Sequence, residues 1–241
     1  MLGRHYRQEL IMEHFFLPEI PQDTFIVEGE TYRHLTRSRR MAIGDTALFS
    51  DGQGLDYLAE MIGCTKDSAT FQVLEERQPV GESPLSITVY QCLPKGDKME
   101  DVLHRCTPLG VTRFVPVLSR RTISDKVSEN KLRRWEKIVL SAATQCGRSI
   151  LPEIAPIHTF DEAIEEMKQA DVAFICYENS DAPLPKLPKE GSIAFLIGPE
   201  GGLTPEEADR LPCCSLGRRI LRTEDAAAFL LPILLDRTDN L

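Results

Sequence analysis

The 241-residue chain reads as an α/β protein whose mostly parallel sheet follows a small β-barrel. Beyond about residue 84, short apolar stretches alternate with helical segments, as expected of parallel strands with helices on both faces. Before about residue 77, short runs of alternating apolar and polar residues are separated by turns, the pattern of a small barrel. Between them, "RQPVGESP" (Arg77–Pro84) has the composition of a linker. The expected units are a tail (1–13), a barrel (14–77), a linker (78–84) and an α/β domain (85–241).

"HFFLPEI" opens the foldable part. "TFIV" and "TALFSDGQGLDYLAEMI" alternate around Asp51-Gly52-Gln53-Gly54, a hairpin-type turn, and "SATFQVLEE" alternates again. One short helix falls near Tyr32–Met41. After the linker, "LSITVYQCL" is a strand, and "KGDKMEDVLHRCTPLG" is a helix ended by Pro108 and Gly110. "RFVPVL" is the next strand. "KLRRWEKIVLSAATQCG" puts Trp135, Ile138, Val139, Ala142 and Cys146 on one helical face. "FDEAIEEMKQA" is helical, and "DVAFICYE" and "SIAFLIG" are strands. "EDAAAFLLPILL" is a final helix that Pro232 kinks or stops.

An apolar content of 42% and a charged content of 27% are those of a globular protein. No apolar run reaches membrane-spanning length, and the N-terminus lacks a signal-peptide core. Seven cysteines without a Cys-x-x-Cys pair suit reduced thiols in a cytoplasm rather than a metal site. The formal charge of −9 disfavours a nucleic-acid partner in bulk, but the basic residues are clustered. Arg33, Arg37, Arg39 and Arg40 form one group, and Arg120, Arg121, Lys126, Arg133 and Arg134 another. Either group is a solvated face or part of an RNA-facing surface.

The stretch "FLIGPEGGLTPEEADRL" carries the most chemistry. It reads strand, glycine loop, helix, with Thr204, Pro205 and Glu207 forming a capping box. Ligands of open α/β sheets bind at the carboxyl ends of strands. Gly201-Gly202 is followed by Leu203-Thr204, which lacks the lysine of a phosphate loop, and the glycine spacing is not that of a dinucleotide fingerprint. A second glycine element, "SLGRRILRTEDAAAF", interleaves Arg218, Arg219 and Arg222 with apolar residues. The two loops can wall one pocket whose apolar sides suit an adenine and a ribose.

"LIGPEGGLTPEE" with "LGRRILRTE" resembles the RsmE family, 16S ribosomal RNA (uracil-N3)-methyltransferases of the SPOUT, or α/β-knot, superfamily. The likeness extends to "RHLTRSRRMAIGD" and "LFSDGQG" in the family's PUA-like barrel. It also covers "LPKGDKMEDVLHRCTPLGVTRFVPVLSRRT" and "RRWEKIVLSAATQCGRSILPEI" in its knot domain. Pro108 stands where family members usually carry glutamate, and Asp225-Ala226 where they continue Thr-Ala. Of Ser38–Arg40, only Arg40 matches the usual Val-Leu-Arg.

The resemblance implies a trefoil knot, a homodimer and S-adenosylmethionine as cofactor, while the cysteine spacing and the lack of a long apolar run lead us to expect no metal and no membrane. The substrate it implies is a uridine of small-subunit rRNA. It places the cofactor among Tyr177, the loop Leu196, Ile197, Gly198, Glu200, Gly201 and Gly202, and the loop Leu216, Gly217, Arg219, Ile220, Leu221 and Arg222. Uridine N3 must lose its imide proton at or before methyl transfer, and the negative charge then spread onto O2 and O4 is stabilised by a guanidinium. Arg222 is the candidate, its plainer alternative being a salt bridge to Glu224 or Asp225. Arginine is no base, so Glu224 or Glu200 is left to accept the proton or orient the arginine. Arg33, Arg37 and Arg40, with Arg120, Arg121 and Arg148, are the candidate phosphate contacts. A knot methyltransferase with another RNA target, or an inactive RNA-binding assembly protein, remains open.

Overall fold

The computed structural model describes residues 14–17, 23–79, 81–123 and 127–241; the expected tail at 1–13 and Lys126 lie outside them. The chain divides into two compact units, Met1–Glu82 with Ala143–Leu151, and Ser83–Ala142 with Pro152–Leu241.

The first unit holds strands β1 (His14–Phe16), β2 (Thr24–Glu28), β3 (Thr46–Ser50), β4 (Asp56–Cys64) and β5 (Ser68–Arg77). A helix α1 (Gly29–Arg33) runs into a π-helical turn (His34–Ser38). The sheet order is β1-β3-β4-β5-β2, antiparallel except for β1 with β3. Alternation turns Phe25, Phe49, Met61 and Phe71 into one core, where Phe49 meets Phe25 and Phe71 edge-on. The expected turn is held by Asp51, whose Oδ1 accepts from the amides of Gln53 and Leu55.

Residues 143–151, expected in the α/β domain, belong instead with this unit. Polar bonding explains it. Asp56 is buried and accepts from Ser50 Oγ at 2.8 Å and Ser149 Oγ at 2.5 Å. Glu82, inside the expected linker, accepts from Arg148 Nη2 at 2.9 Å and from the amides of Ser149 and Ile150 at 3.0 Å.

The second unit carries β6 (Leu85–Cys92), α2 (Lys98–Cys106), β7 (Val111–Leu118), α3 (Glu129–Cys146, its last residues in the first unit), β8 (Glu153–Ile154) and β9 (His158–Thr159). It continues with α4 (Phe160–Met167), β10 (Val172–Cys176), β11 (Gly191–Ile197), α5 (Pro205–Ala208), β12 (Cys213–Cys214) and α6 (Thr223–Arg237). The sheet order is β12-β10-β11-β6-β7-β8, with β9 also on β7, and every pairing is parallel. Helices cover both faces. Phe114, Phe174, Phe195 and Ile197 pack with α2, α3 and α6, whereas Val115, Ile175 and Leu196 pack with α4. Strands buried on both sides read as continuous apolar runs, as "FLI" does. Gly110, at φ 83°, caps the turn that follows α2, a left-handed position that favours glycine. Pro232 does not stop α6, which continues through it to Arg237 with Leu230, Leu231 and Leu234 fully buried around it.

Candidate active site

The carboxyl ends of β10 and β11 open into a cleft of about 360 Å³. Three segments wall it: Cys176–Glu178 after β10, Ile197–Gly202 after β11, and Ser215–Glu224 leading into α6. Lys98, the first residue of α2, closes the fourth side. This is where an open parallel sheet receives a ligand.

Local bonding fixes the walls. Thr204 caps α5 by accepting from the Glu207 amide, and Glu207 Oε2 accepts from the Thr204 amide, so the capping box forms. The other oxygen of Glu207 accepts from the Arg120 amide at 2.8 Å, and Arg121 Nη1 donates to the Gly201 carbonyl at 2.7 Å. Both bonds brace the glycine loop from the segment after β7. On its inner side, Thr223 Oγ1 donates to the Gly198 carbonyl at 2.6 Å. The fully buried Gln91 donates to Thr223 Oγ1 at 2.9 Å, joining the end of β6, the glycine loop and the start of α6. Gly202 takes φ 67°, and a Cβ there would lie 2.3 Å from Glu178 Oε1. The left-handed turn favours glycine, and any side chain there would have to displace the Glu178 carboxylate.

The charged groups converge on Lys98. Its Nζ lies 3.0 Å from Glu200 Oε1 and 3.3 Å from Glu224 Oε2. Glu200 also accepts from the Lys95 amide at 3.0 Å. Partial burial, the largest influence on Glu200, raises its pKa. Bonds from Lys98 and from the Glu200 and Lys95 backbone outweigh it and hold the carboxyl below the usual range. Glu200's hydrogen bond in turn raises Lys98. Glu224 is buried, and its Oε2 makes no hydrogen bond of good geometry despite the nearby ammonium. Arg222 Nη1 stands 3.8 Å from Glu224 Oε1, with its side chain 79% exposed at the cleft.

Of the residues expected at the cofactor, Tyr177, Ile197, Gly198, Glu200, Gly202, Leu216, Gly217, Arg219, Ile220, Leu221 and Arg222 line the cleft, as does Glu224. Leu196 does not, because strand alternation sends its side chain into the core beneath α4. Gly201 does not either, since its Cβ direction meets Arg121 at 3.4 Å. The alternative partner for Arg222, Asp225, is bonded to Arg105 instead. Lys98, Glu178, Gln91 and Thr223 were not singled out from sequence. A buried glutamine in the apolar strand "LSITVYQC" was a usable signal; for Lys98 there was none.

Among the RNA candidates, Arg33, Arg37, Arg40, Arg120 and Arg121 are exposed. Arg148 is the correction: its side chain is 7% exposed and bonded to Glu82, so it offers no face to a phosphate. Among the described residues, no group of three or more His, Cys, Asp or Glu side chains could hold a metal ion, and no helix is long and apolar enough to cross a membrane.

A parallel sheet with a bonded glycine-loop cleft at its carboxyl edge is the class of a small-ligand α/β enzyme, and the family comparisons say which. A family model described as an RNA methyltransferase domain matches residues 81–235, and an RNA methyltransferase PUA domain matches 27–74. The chain is 33% identical to the ribosomal RNA small subunit methyltransferase E of Bacillus subtilis (strain 168), over 90% of this chain and 92% of the relative. It is 34% identical to the enzyme of that name from Synechocystis, over 86% and 71%. A crystal structure of the Neisseria gonorrhoeae ribosomal RNA small subunit methyltransferase E, bound to S-adenosyl methionine, superposes with a TM-score of 0.85 at 32% identity, covering 93% of this chain and 97% of the other. The chain belongs to the ribosomal RNA small subunit methyltransferase E family, with an α/β-knot domain behind a PUA-like unit.

Proposed function

We propose that the protein transfers a methyl group from S-adenosylmethionine to N3 of one uridine in 16S ribosomal RNA. It acts in the cytoplasm, as a homodimer, on the assembled small subunit. The observation that carries this reading is the cleft itself, bounded by both glycine motifs and by the Arg222–Glu224 pair. Its volume lies in the range of small-ligand pockets. Ile197, Leu216, Leu221 and Ala226 supply apolar wall for a base, while Glu178, Glu200 and Glu224 supply negative charge for a cationic ligand. The buried Glu224 Oε2 has the Lys98 ammonium 3.3 Å away and no hydrogen bond of good geometry, so a cationic ligand would give it a further partner.

S-adenosylmethionine, when bound, supplies an electrophilic methyl on a positively charged sulfur. The protein aligns the nucleophile with that bond and manages charge and proton on the uracil. The N3 proton leaves, and negative charge spreads onto O2 and O4. Arg222, exposed at the cleft mouth and loosely held by Glu224, is free to reach those oxygens. Glu200 is occupied by the Lys95 amide and Lys98, which makes it a poor proton acceptor. Arg33, Arg37, Arg40, Arg120 and Arg121 supply phosphate contacts that position the RNA.

The dimer reading rests on α6. "TEDAAAFLLPILLDR" is apolar on nearly every side, and Phe229 is 46% exposed beside the half-buried Pro232 and Ile233. A second copy covering that stripe accounts for it. Nucleoside analysis of rRNA from cells with and without the gene tests the reaction: 3-methyluridine at one small-subunit position is expected to vanish on deletion. An unchanged nucleoside profile, with RNA binding intact, favours an assembly protein.

A further inference from the structure

We propose that Lys98 is a positioning residue of the cleft, one ammonium that holds the carboxylates of Glu200 and Glu224 together facing a cationic sulfonium ligand. The inference rests on the function proposed above. It starts from the linkage: Glu200 lies in the glycine loop and Glu224 in the first turn of α6, and Lys98, from a third element, lies within 3.3 Å of both. The Lys95 amide, bonded to Glu200, ties the same short segment to the glycine loop a second time.

Among the described residues, no other cation substitutes for it. Arg222 is farther from Glu224 and mostly in water, where its charge is screened. Arg218 and Arg219 line the outer cleft, and Glu178 adds a third carboxylate beside Gly202. On the α2 side, Asp97, Glu100, Asp101 and His104 share a recess with Lys98. Glu100 is taken by Arg134 at 2.7 Å, Asp101 by Arg105 at 3.6 Å and Asp97 by Lys131 at 3.9 Å. Lys98 is thus left to the cleft. Glu200, whose carboxyl Lys98 helps hold below the usual range, protonates more readily once that ammonium is gone. Without Lys98, the cleft loses negative charge as the pH falls and discriminates less between a sulfonium and a neutral thioether.

The test compares wild type, Lys98→Met and Lys98→Arg. In ligand-free protein, carbon-13 NMR follows the Glu200 carboxyl. It is expected to titrate about one pH unit higher in Lys98→Met and to return toward wild type in Lys98→Arg. Calorimetry then measures S-adenosylmethionine and S-adenosylhomocysteine from about pH 5 to about pH 9. Toward pH 5, Lys98→Met is expected to bind the sulfonium severalfold more weakly than wild type while the thioether changes less, with the acid limb moved to higher pH. Melting curves at each pH identify a variant that merely fails to fold, and Lys98→Arg then carries the comparison. An unmoved Glu200 titration in Lys98→Met, or an equal loss for both ligands without a shifted limb, overturns the proposal. If wild type binds neither ligand, the proposed function falls, while the ligand-free titration still decides the part played by Lys98.

Discussion

Each unit of the molecule sets an arginine beside a buried glutamate, and there the likeness ends. Glu82 and Glu224 are equally hidden, with side chains 9% and 8% exposed. Arg148 is as buried as its partner and donates to it through Nε at 3.2 Å and Nη2 at 2.9 Å. Arg222 stands 3.8 Å from its partner, almost wholly in water. The first pair is closed, and neither charge has anywhere else to go. The second is open at the arginine, and the other oxygen of its carboxylate is left to the Lys98 ammonium 3.3 Å away. The difference teaches that a charge pair becomes available for chemistry through what it leaves unsatisfied.

The closed pair gives the largest expected effect. Arg148→Ala strands Glu82 in the interior, and losing one partner of a buried pair costs ~3–5 kcal/mol. Urea denaturation is expected to register that loss, while RNA affinity per folded molecule stays unchanged. A variant as stable as wild type breaks the comparison. Arg222→Ala is the converse. Removing one preorganised donor lowers kcat by on the order of 10²–10³, with S-adenosylmethionine affinity and melting temperature nearly unchanged. Single-turnover kinetics with saturating cofactor checks it, and Lys at this position is expected to rescue only part, since it lacks the planar fork. Loss of stability with kcat preserved would make Arg222 another closed pair.

The glycine loop sharpens the contrast on a smaller scale. Gly202→Ala puts a side chain into a left-handed position, a cost of ~1–2 kcal/mol, and pushes on Glu178. Calorimetry is expected to give roughly tenfold weaker cofactor binding. Gly201→Ala meets only the Arg121 side chain at ordinary contact distance and is expected to bind nearly as wild type does. Arg37→Ala gives the smallest effect. It leaves stability within about 0.5 kcal/mol and lowers the slope of log affinity against log salt by about one. Binding titrations at several salt concentrations measure it, and an unchanged slope removes Arg37 from the RNA surface.

What was legible in the sequence was local. Thr204, Pro205 and Glu207 announce a helix start within four residues, and the box forms as written. Apolar runs such as "FLI" announce strands buried on both sides, and the sheet is parallel throughout. The direction of the Leu196 side chain was legible too: Phe195 and Ile197 share one face, so the residue between them faces the other. Arg148, Lys98 and the placement of residues 143–151 were not legible. Their partners stand far off along the chain, Glu82 for Arg148 and Glu200 for Lys98, and no periodicity encodes such pairs.

The pairing of β6 with β11 has a consequence for synthesis. Leu85 lies opposite Gly191 and Gln91 opposite Ile197, so the middle of the sheet joins segments about a hundred residues apart. At the ~5–20 residues per second at which chains are made, β6 waits roughly 5–20 s for that partner. Its other edge can meet β7 much sooner. A chain that stalls before residue 191 therefore shows one unpaired edge of a strand that is mostly buried in the finished fold, the surface on which strands of different molecules add to one another. Such a fragment also lacks the second and third walls of the cleft, so a broken message yields material for chaperones and proteases and no partly active enzyme.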